Sequence, residues 1–163
     1  DPFPTDRPPA RVEVSIDDLQ SDSPVPLGEL MSFTATVSGS EPISYSWDFG
    51  GAGTATHADT PTPTFAYDAP GIYTVTLTVE NLCGTDQGEL GACILAGDVN
   101  GDGSVNIGDV QMVASRWRTS CGDPDPDNDP STPNYNSIYD LDSDCDIDVI
   151  DIMLVVAHWG DSC

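Results

Sequence analysis

The residues best suited to chemistry in this sequence are aspartates that recur at alternate positions in its second part. They form two runs. The first has Asp98, Asp102 and Asp109, with Asn100 at the alternate position between the first two, and the second has Asp140, Asp142, Asp144, Asp146, Asp148 and Asp151. Because aspartate is short, carboxylates at alternate positions of a loop can converge on one hard divalent cation such as Ca²⁺. Residues 96–163 contain 14 Asp and no Glu, whereas the 14 acidic residues of 1–95 are a scattered mixture of both. The pattern predicts cation binding in the second part of the chain.

The two runs belong to an internal repeat. A shift of 42 residues aligns 98–121 with 140–163, and 7 of the 24 aligned positions are identical, including the first, fifth and twelfth loop positions. This is the spacing of an EF-hand loop, in which side chains at positions 1, 3, 5 and 12 and the carbonyl of position 7 surround one ion. We expect these ligands to be Asp98, Asn100, Asp102, Ser104 and Asp109 in the first loop, and Asp140, Asp142, Asp144, Asp146 and Asp151 in the second.

Two features separate these loops from a generic EF-hand. Position 12 is Asp rather than Glu, and each loop is followed by a helical pattern but not preceded by one. Both features match the dockerin module, and residues 96–163 resemble such a module with paired F-hand calcium loops. The resemblance implies a small α-helical domain that holds two calcium ions and binds a cohesin partner. Because the carboxylates of each loop repel one another, we expect this domain to be at least partly unfolded without calcium.

One loop position departs from the pattern. The second loop has Cys145 at position 6, where glycine is expected because the backbone there is left-handed. A non-glycine residue pays about 1 kcal/mol for that conformation, which a disulfide could hold in place.

The apolar residues after each loop predict two short helices, within 110–117 and 149–159. Their predicted packing faces are Val110, Val113, Ala114 and Trp117 in the first, and Ile152, Val155, Val156 and Trp159 in the second, with Met112 and Met153 also in the core. In dockerin modules, residues beside position 12 and further along each helix recognise the partner. The matching positions are Ile107, Gly108, Ala114, Ser115, Val149, Ile150, Val156 and Ala157. They are mainly apolar, which indicates a hydrophobic interface.

The linker between the repeats has two interpretations. Its four alternating aspartates, within 123–129, could form a third and looser cation site, or could belong to a solvated segment stiffened by proline.

Five cysteines without a CxxC pair make a zinc site improbable. They indicate either an oxidising, extracellular setting with two disulfides or five inert buried thiols. In the resembled module, the two-fold relation of antiparallel helices predicts the pairs Cys121–Cys145 and Cys93–Cys163. Cys83 would then be unpaired or bonded between chains.

The first part of the chain has the pattern of an antiparallel β-sandwich. Apolar residues alternate with polar ones in 11–16, 31–37, 43–49 and 72–79, and 50–64 indicates a loop with a short edge strand. YSWDFG (45–50), followed by YDAPGIYTVTLTVEN (67–81), resembles the immunoglobulin-like PKD domain over residues 11–95. The resemblance implies that Trp47 is a core residue. Residues 1–10 contain four prolines and predict an extended arm.

Charge and hydropathy restrict the environments of the protein. Its net charge of −24 argues against binding nucleic acid or anionic membranes, and the longest apolar stretch, 152–157, is too short to cross a bilayer. Because the sequence begins at Asp1 without a basic and apolar leader, we interpret it as a processed, secreted chain.

The functional classes that remain are non-catalytic. Lysine is absent, both histidines are poorly placed for catalysis, and neither a nucleophile motif nor a phosphate loop is found. One hypothesis is an extracellular structural subunit that joins copies of itself, in fibres for example, through the arm added to a neighbour's sheet edge. The alternative is an adaptor that binds a cohesin partner. The Thr/Pro stretches 54–64 and 130–133 are candidate sites of O-linked glycans.

Overall fold

The structure is a computed structural model that describes residues 10–163, so the predicted arm lies outside the described residues apart from Ala10. The described chain is mainly β and ends in a small helical part. Its strands are β1 (Ser15–Ser21), β2 (Met31–Ser38), β3 (Ser44–Asp48), β4 (Gly53–Thr56), β5 (Thr64–Tyr67), β6 (Gly71–Asn81) and β7 (Gly84–Ile94). Its helices are α1 (Ile107–Ala114) and α2 (Val149–Ala157), with one 3-10 turn at Ser137–Tyr139 between them.

The strands form a sandwich of two antiparallel sheets, which confirms the predicted fold class. One sheet has the order β1-β2-β5-β4 and the other β3-β6-β7. Alternation dictates which side chains face inward: in β2, Met31, Phe33 and Ala35 are buried while the residues between them are exposed. The β6–β7 hairpin ends at Ile94, directly before the helical part, and therefore carries that part on the end of the sandwich.

Aromatic rings fill the space between the sheets. The Phe49 and Phe65 rings stack with centroids 4.3 Å apart. Trp47 is partly buried and packs against two clusters of the core, and its indole N–H donates to the carbonyl of Thr60 at 2.9 Å. Trp47 therefore links the two core clusters of the sandwich.

The first strand differs from the expectation. The alternating stretch 11–16 predicted a strand, but β1 begins only at Ser15, because Val12 exchanges hydrogen bonds with Ser40 outside the sheet ladder. Within β1 the register shifts between Ile16 and Asp18. This irregularity lets Ile16 and Leu19, three residues apart, both pack on the same core cluster. Because the irregularity breaks the two-residue alternation of inward and outward side chains, the bounds of such a strand are difficult to predict from the sequence.

The helical part has a separate core, made by Val99, Val105, Val113, Tyr139, Ile147 and Val155. The predicted helix faces are wrong at several positions, since the following residues are exposed: Ala114, Trp117 (46%), Met153 (62%), Val156 (49%) and Trp159 (54%). The helices end at Ala114 and Ala157, so each tryptophan lies in the turn that follows a helix. The buried face is instead set by the aspartate that closes each loop and the valine four residues later.

Candidate metal centre

Loop one folds around two buried carboxylates, those of Asp98 and Asp109. Asp98 accepts hydrogen bonds from the backbone N–H groups of Gly101 (2.8 Å), Asp102 (3.2 Å) and Gly103 (2.9 Å). Asp109, from the first turn of α1, accepts from the N–H groups of Val99 (3.0 Å), Asn100 (3.3 Å) and Asn106 (2.8 Å). The chain is therefore wrapped so that both ends of the loop present carboxylate oxygens to its interior.

Loop two repeats this arrangement around Asp140 and Asp151. Asp140 accepts from the N–H groups of Asp144 (3.1 Å) and Cys145 (3.0 Å). Asp151 accepts from the N–H groups of Leu141 (2.6 Å) and Asp148 (2.8 Å). The two loops thus position equivalent carboxylates by equivalent backbone bonds.

Burial of these four carboxylates is the main electrostatic feature of the module. Asp98 is 2% exposed, Asp109 0%, Asp140 7% and Asp151 1%. Within residues 10–163 the one contact with salt-bridge geometry is between His158 and Asp161 at the surface, so no side-chain cation pairs with the loop carboxylates. Buried carboxylates require a compensating charge, and backbone N–H groups supply only part of it. A divalent cation would supply the remainder, and this donor set of carboxylate oxygens fits Ca²⁺.

The exposed rim of loop two adds further oxygens. Ligand atoms of Asp140, Asp142 and Asp144 all lie within 4.8 Å of one another, which is close enough to hold one metal ion. Partial desolvation, and next the charge of Asp144, raise the pKa of Asp142. Burial likewise raises the pKa of Asp98, with a smaller contribution from the charge of Asp109. Mutual repulsion of this kind is relieved when a cation binds.

The remaining predicted ligands lie at the loop turns. Ser104 and Asp146, at position 7, each donate a backbone N–H to the position-5 carboxylate at 3.0 Å. The residues at position 9, Asn106 and Asp148, are the N-caps of the two helices, accepting from the N–H groups of Gly108 (2.7 Å) and Ile150 (2.6 Å). Asn100 donates its side-chain amide to the Asp102 carboxylate at 3.1 Å, and its side-chain carbonyl oxygen accepts from the Asp102 backbone N–H at 2.8 Å. That oxygen is the Asn100 atom that could also bind a metal.

Position 6 has the same backbone conformation in both loops. Gly103 has φ 83° and Cys145 has φ 79°, in the left-handed region. Cys145 is held there by a disulfide to Cys121 and by its own N–H bond to Asp140. The second disulfide of the structure joins Cys93 to Cys163, and Cys83 is exposed and free. These are the two pairs that the sequence analysis expects.

A two-fold relation governs how each loop meets the segment after the other helix. In one half, the N–H groups of Val105, Gly160 and Cys163 donate to the carbonyls of Asp161, Val105 and Gly103. In the other half, the N–H groups of Ile147, Arg118 and Cys121 donate to the carbonyls of Thr119, Ile147 and Cys145. These three pairs of bonds are equivalent under the 42-residue shift. Backbone hydrogen bonds to the opposite repeat therefore hold each loop in place.

The β1–β2 loop of the sandwich covers loop one. A Cβ atom on Gly101 would lie 2.8 Å from Cδ of Pro26, and one on Gly103 would lie 3.1 Å from Cγ of Pro24. Beside them, Cys93 N–H donates to Ser23 Oγ at 3.0 Å. Sequence analysis missed this contact, because nothing local to Pro24 or Pro26 indicates which distant loop they meet.

Tyr135 is a second residue that the sequence analysis missed. Its hydroxyl donates to Asp140 at 2.8 Å, and this bond is the main cause that raises the pKa of Tyr135 to about 12. The repeat holds no signal for it, since the equivalent residue in the first repeat is Cys93.

The linker aspartates mainly stabilise turns. Asp127 accepts from the N–H of Asp129 and from the Thr132 hydroxyl, and Asp129 accepts from the N–H and hydroxyl of Ser131. Among residues 10–163, the linker aspartates form no group of three carboxylates close enough together to hold one metal ion. The predicted third site therefore has no geometric support among the described residues.

Of the predicted partner residues, Ile107, Val149, Ile150 and Val156 are exposed large apolar side chains, at 56%, 50%, 46% and 49%. Ala114, Ser115 and Ala157 are also exposed, and Gly108 is half-buried. They lie on the outer sides of the two helices, away from the module's core.

Comparison with known families divides the chain at the same place as the structure. Residues 18–92 match the family model described as a PKD domain, and residues 96–158 match the one described as a dockerin type I domain. The chain consists of a PKD domain followed by a dockerin type I domain. Both families are non-catalytic modules that occur in extracellular proteins, and dockerin type I domains bind calcium and bind cohesin as a protein partner. Among the described residues, no helix is long and apolar enough to cross a membrane.

Solved structures resemble the PKD domain. A putative alpha-galactosidase from Bacteroides fragilis is 22% identical, with a TM-score of 0.42, over 52% of this chain and 18% of that chain. The PKD1 domain of Vibrio anguillarum Epp is 22% identical, with a TM-score of 0.41, over 52% and 96%. The PKD domain of the human VPS10 domain-containing receptor SorCS2 is 28% identical, with a TM-score of 0.39, over 54% and 75%. This chain thus spans less than a fifth of the length of the galactosidase. No curated protein matches the sequence.

Proposed function

We propose that the chain is a calcium-dependent docking unit of an extracellular protein. In this proposal the dockerin domain folds around two calcium ions and binds a cohesin-type partner, and the PKD domain is a non-catalytic spacer. The observation that carries the proposal is the symmetric pair of loops, each with two buried carboxylates and no side-chain cation to pair with them.

The proposed ligands are those that the loop spacing predicts. Loop one would use Asp98, Asn100, Asp102 and Asp109 with the Ser104 carbonyl, and loop two Asp140, Asp142, Asp144 and Asp151 with the Asp146 carbonyl. Calcium would supply the positive charge that permits these carboxylates to stay close. The chain's own contribution is to hold the oxygens in place through backbone N–H bonds and through the pairing of each loop with the opposite repeat.

Calorimetric titration after exhaustive chelation tests this proposal. We expect heat for two calcium ions per chain and a gain of helical circular dichroism, because metal binding and folding are coupled. Cohesin binding should require calcium in the same preparation. Absence of both heat and helicity change would overturn the proposal.

Self-association is the second candidate function. It is favoured by β4 (Gly53–Thr56), an exposed strand at the edge of its sheet, which could accept the extended arm of another copy. The net charge of −24 acts against it, since copies repel one another. Light scattering and electron microscopy of the full chain and of a chain without residues 1–10 separate the candidates. Filaments that vanish with the arm support self-association, and a monomer in both cases refutes it.

Three further proposals concern the setting. Two disulfides and the extracellular occurrence of both families support secretion. The acidic surface supports protein rather than nucleic-acid partners. The Thr/Pro stretch 54–64 includes most of β4 and the partly exposed segment after it, which supports its proposal as a site of O-glycosylation.

A further inference from the structure

The two helices of the dockerin domain present very different outer surfaces. Helix α2 is apolar on its buried side and also on its exposed side. Its exposed apolar residues form one face, here called the α2 face: Val149 (50%), Ile150 (46%), Met153 (62%), Val156 (49%) and Ala157. The spacing i, i+4, i+7 of Val149, Met153 and Val156 places them in one row along the helix.

Helix α1 lacks such a row at the equivalent positions. Under the 42-residue shift, the counterpart of Met153 is Gln111 and that of Val156 is Ala114. Ile150 corresponds to Gly108, and only Ile107 of α1 remains large, apolar and exposed. The backbone of the module is nearly symmetric, but of the two helices only α2 carries a row of exposed apolar side chains; the first repeat exposes Ile107 on α1 and Trp117 in the turn after it.

The rest of the described chain does not cover the α2 face. A cavity of about 300 Å³ lies between the β1–β2 loop and the dockerin domain, and α2 contributes Leu154 and His158 to it. None of the five α2 face residues lines this cavity. Soluble domains seldom leave a contiguous apolar row exposed, and such patches mark interaction sites.

The negative charge around the α2 face indicates which kind of partner it can bind. The α2 face is preceded in the chain by Asp142, Asp144 and Asp146, all exposed, and followed by exposed Asp161. Residues 96–163 contain 14 Asp against two Arg, so the domain stays acidic even with two calcium ions bound. A second copy of this chain would bring the same negative charge to the contact. A partner with an apolar centre and a basic rim is complementary to it.

We propose that the α2 face alone carries the docking surface, and that it takes a cohesin-type protein whose contact surface is apolar at its centre and basic at its rim. The proposal rests on the docking function proposed above, and it adds that the partner binds the dockerin domain in a single orientation. A partner rotated by the two-fold axis would meet Gln111 and Ala114 and would lose the apolar contacts of Met153 and Val156. The complex is therefore one-to-one with one register.

The experiment uses matched substitutions on the two helices of the calcium-loaded full chain. Met153→Asp and Gln111→Asp add the same charge at equivalent exposed positions of the two helices. The probes are the cohesin domains encoded in the genome that encodes this chain, tested by calorimetry. Nile red, a neutral dye that fluoresces on apolar surfaces, tests the α2 face without any partner. Calcium titration and circular dichroism show that both variants fold.

We expect Met153→Asp to weaken cohesin binding by at least about 30-fold, the effect of losing a central contact residue, and to reduce Nile red fluorescence. Gln111→Asp should leave both signals close to those of the native chain. The double variant Gln111→Met and Ala114→Val should restore binding to Met153→Asp, because it builds the same apolar row on α1.

Other results overturn the proposals separately. Equal losses in the two single variants would refute the one-sided surface while leaving cohesin binding intact. If no cohesin domain binds the native chain, the docking function fails. If Met153→Asp leaves the Nile red fluorescence unchanged, the proposal that the α2 face is an exposed apolar surface is refuted, whether or not a cohesin domain binds.

Discussion

Replacing Cys145 separates two opposing effects at the sixth position of loop two. The disulfide to Cys121 closes a loop of 24 residues, and its removal frees chain entropy in the unfolded state worth about 3.5 kcal/mol by the loop-entropy relation. Cys145 also has a left-handed backbone, φ 79°, which costs a non-glycine residue about 1 kcal/mol. Glycine at this position removes the cross-link and the backbone cost together, whereas serine removes only the cross-link.

We therefore expect Cys121→Ser with Cys145→Ser to lower the free energy of unfolding by about 3.5 kcal/mol, and Cys121→Ser with Cys145→Gly by only about 2.5 kcal/mol. Both double variants keep the backbone N–H that Cys145 donates to Asp140. Urea unfolding in saturating calcium, followed by circular dichroism at the helical wavelength, gives the difference between them. Serine and glycine variants of equal stability would show that the left-handed backbone costs nothing here. A glycine variant less stable than the serine variant would refute the reasoning outright.

Two other predictions concern the carboxylates. In the calcium-free protein, burial raises the pKa of the Asp98 carboxyl above 3.8, so the folded state binds the carboxyl proton more tightly than the unfolded state does. The contribution of Asp98 to stability is therefore greatest in acid, and it falls as the pH rises through the raised pKa. The calcium-loaded protein should instead lose stability as the pH falls, since protonation of the ligands expels the ion. Thermal melts from pH 3.5 to 7, followed by the helical circular dichroism signal, test the direction of both pH dependences. Asp86 lies in the sandwich, and N–H bonds from Ile16 and Gln87 lower its pKa, so its contribution to stability is lost as the pH falls. The unfolding of the sandwich should therefore show a different pH dependence from the unfolding of the calcium-free helical part. Asp151→Asn should weaken one calcium site at least about tenfold, since ligand charge sets the affinity, whereas exposed Asp123→Asn should leave both sites unchanged in a calorimetric titration.

The arrangement of the loop carboxylates was predictable from sequence because it obeys a local rule. Alternate side chains of a tight loop converge whatever surrounds the loop, and the repeat supplies two independent instances. Asp98 and Asp140 therefore lie where the spacing predicts, each held by N–H groups of its own loop. The cysteine pairs were also accessible, since the internal symmetry fixes which helix end meets which loop.

The residues that the sequence analysis missed depend on contacts between distant segments. Met153 and Trp159 have apolar side chains, so the helical pattern assigned them to the core, but the closing aspartate Asp151 occupies the buried face and turns Met153 outward. Pro26 meets Gly101 across 75 residues of sequence, which no local pattern encodes. Strand β7 was overlooked because its two interior glycines, Gly88 and Gly91, and its acids conceal the alternation that the sheet imposes.

The bond between Cys93 and Cys163 decides how mechanical load travels through the molecule. Tension applied at residue 163 passes through the sulfur atoms to Cys93, at the end of β7, and from there into the β6–β7 hairpin. The segment 94–162, which contains both metal loops and both helices, lies outside this path and is not stretched. A partner bound to α2, as proposed above, would pull on that segment instead, and the force would leave it at both ends through the same covalent anchor.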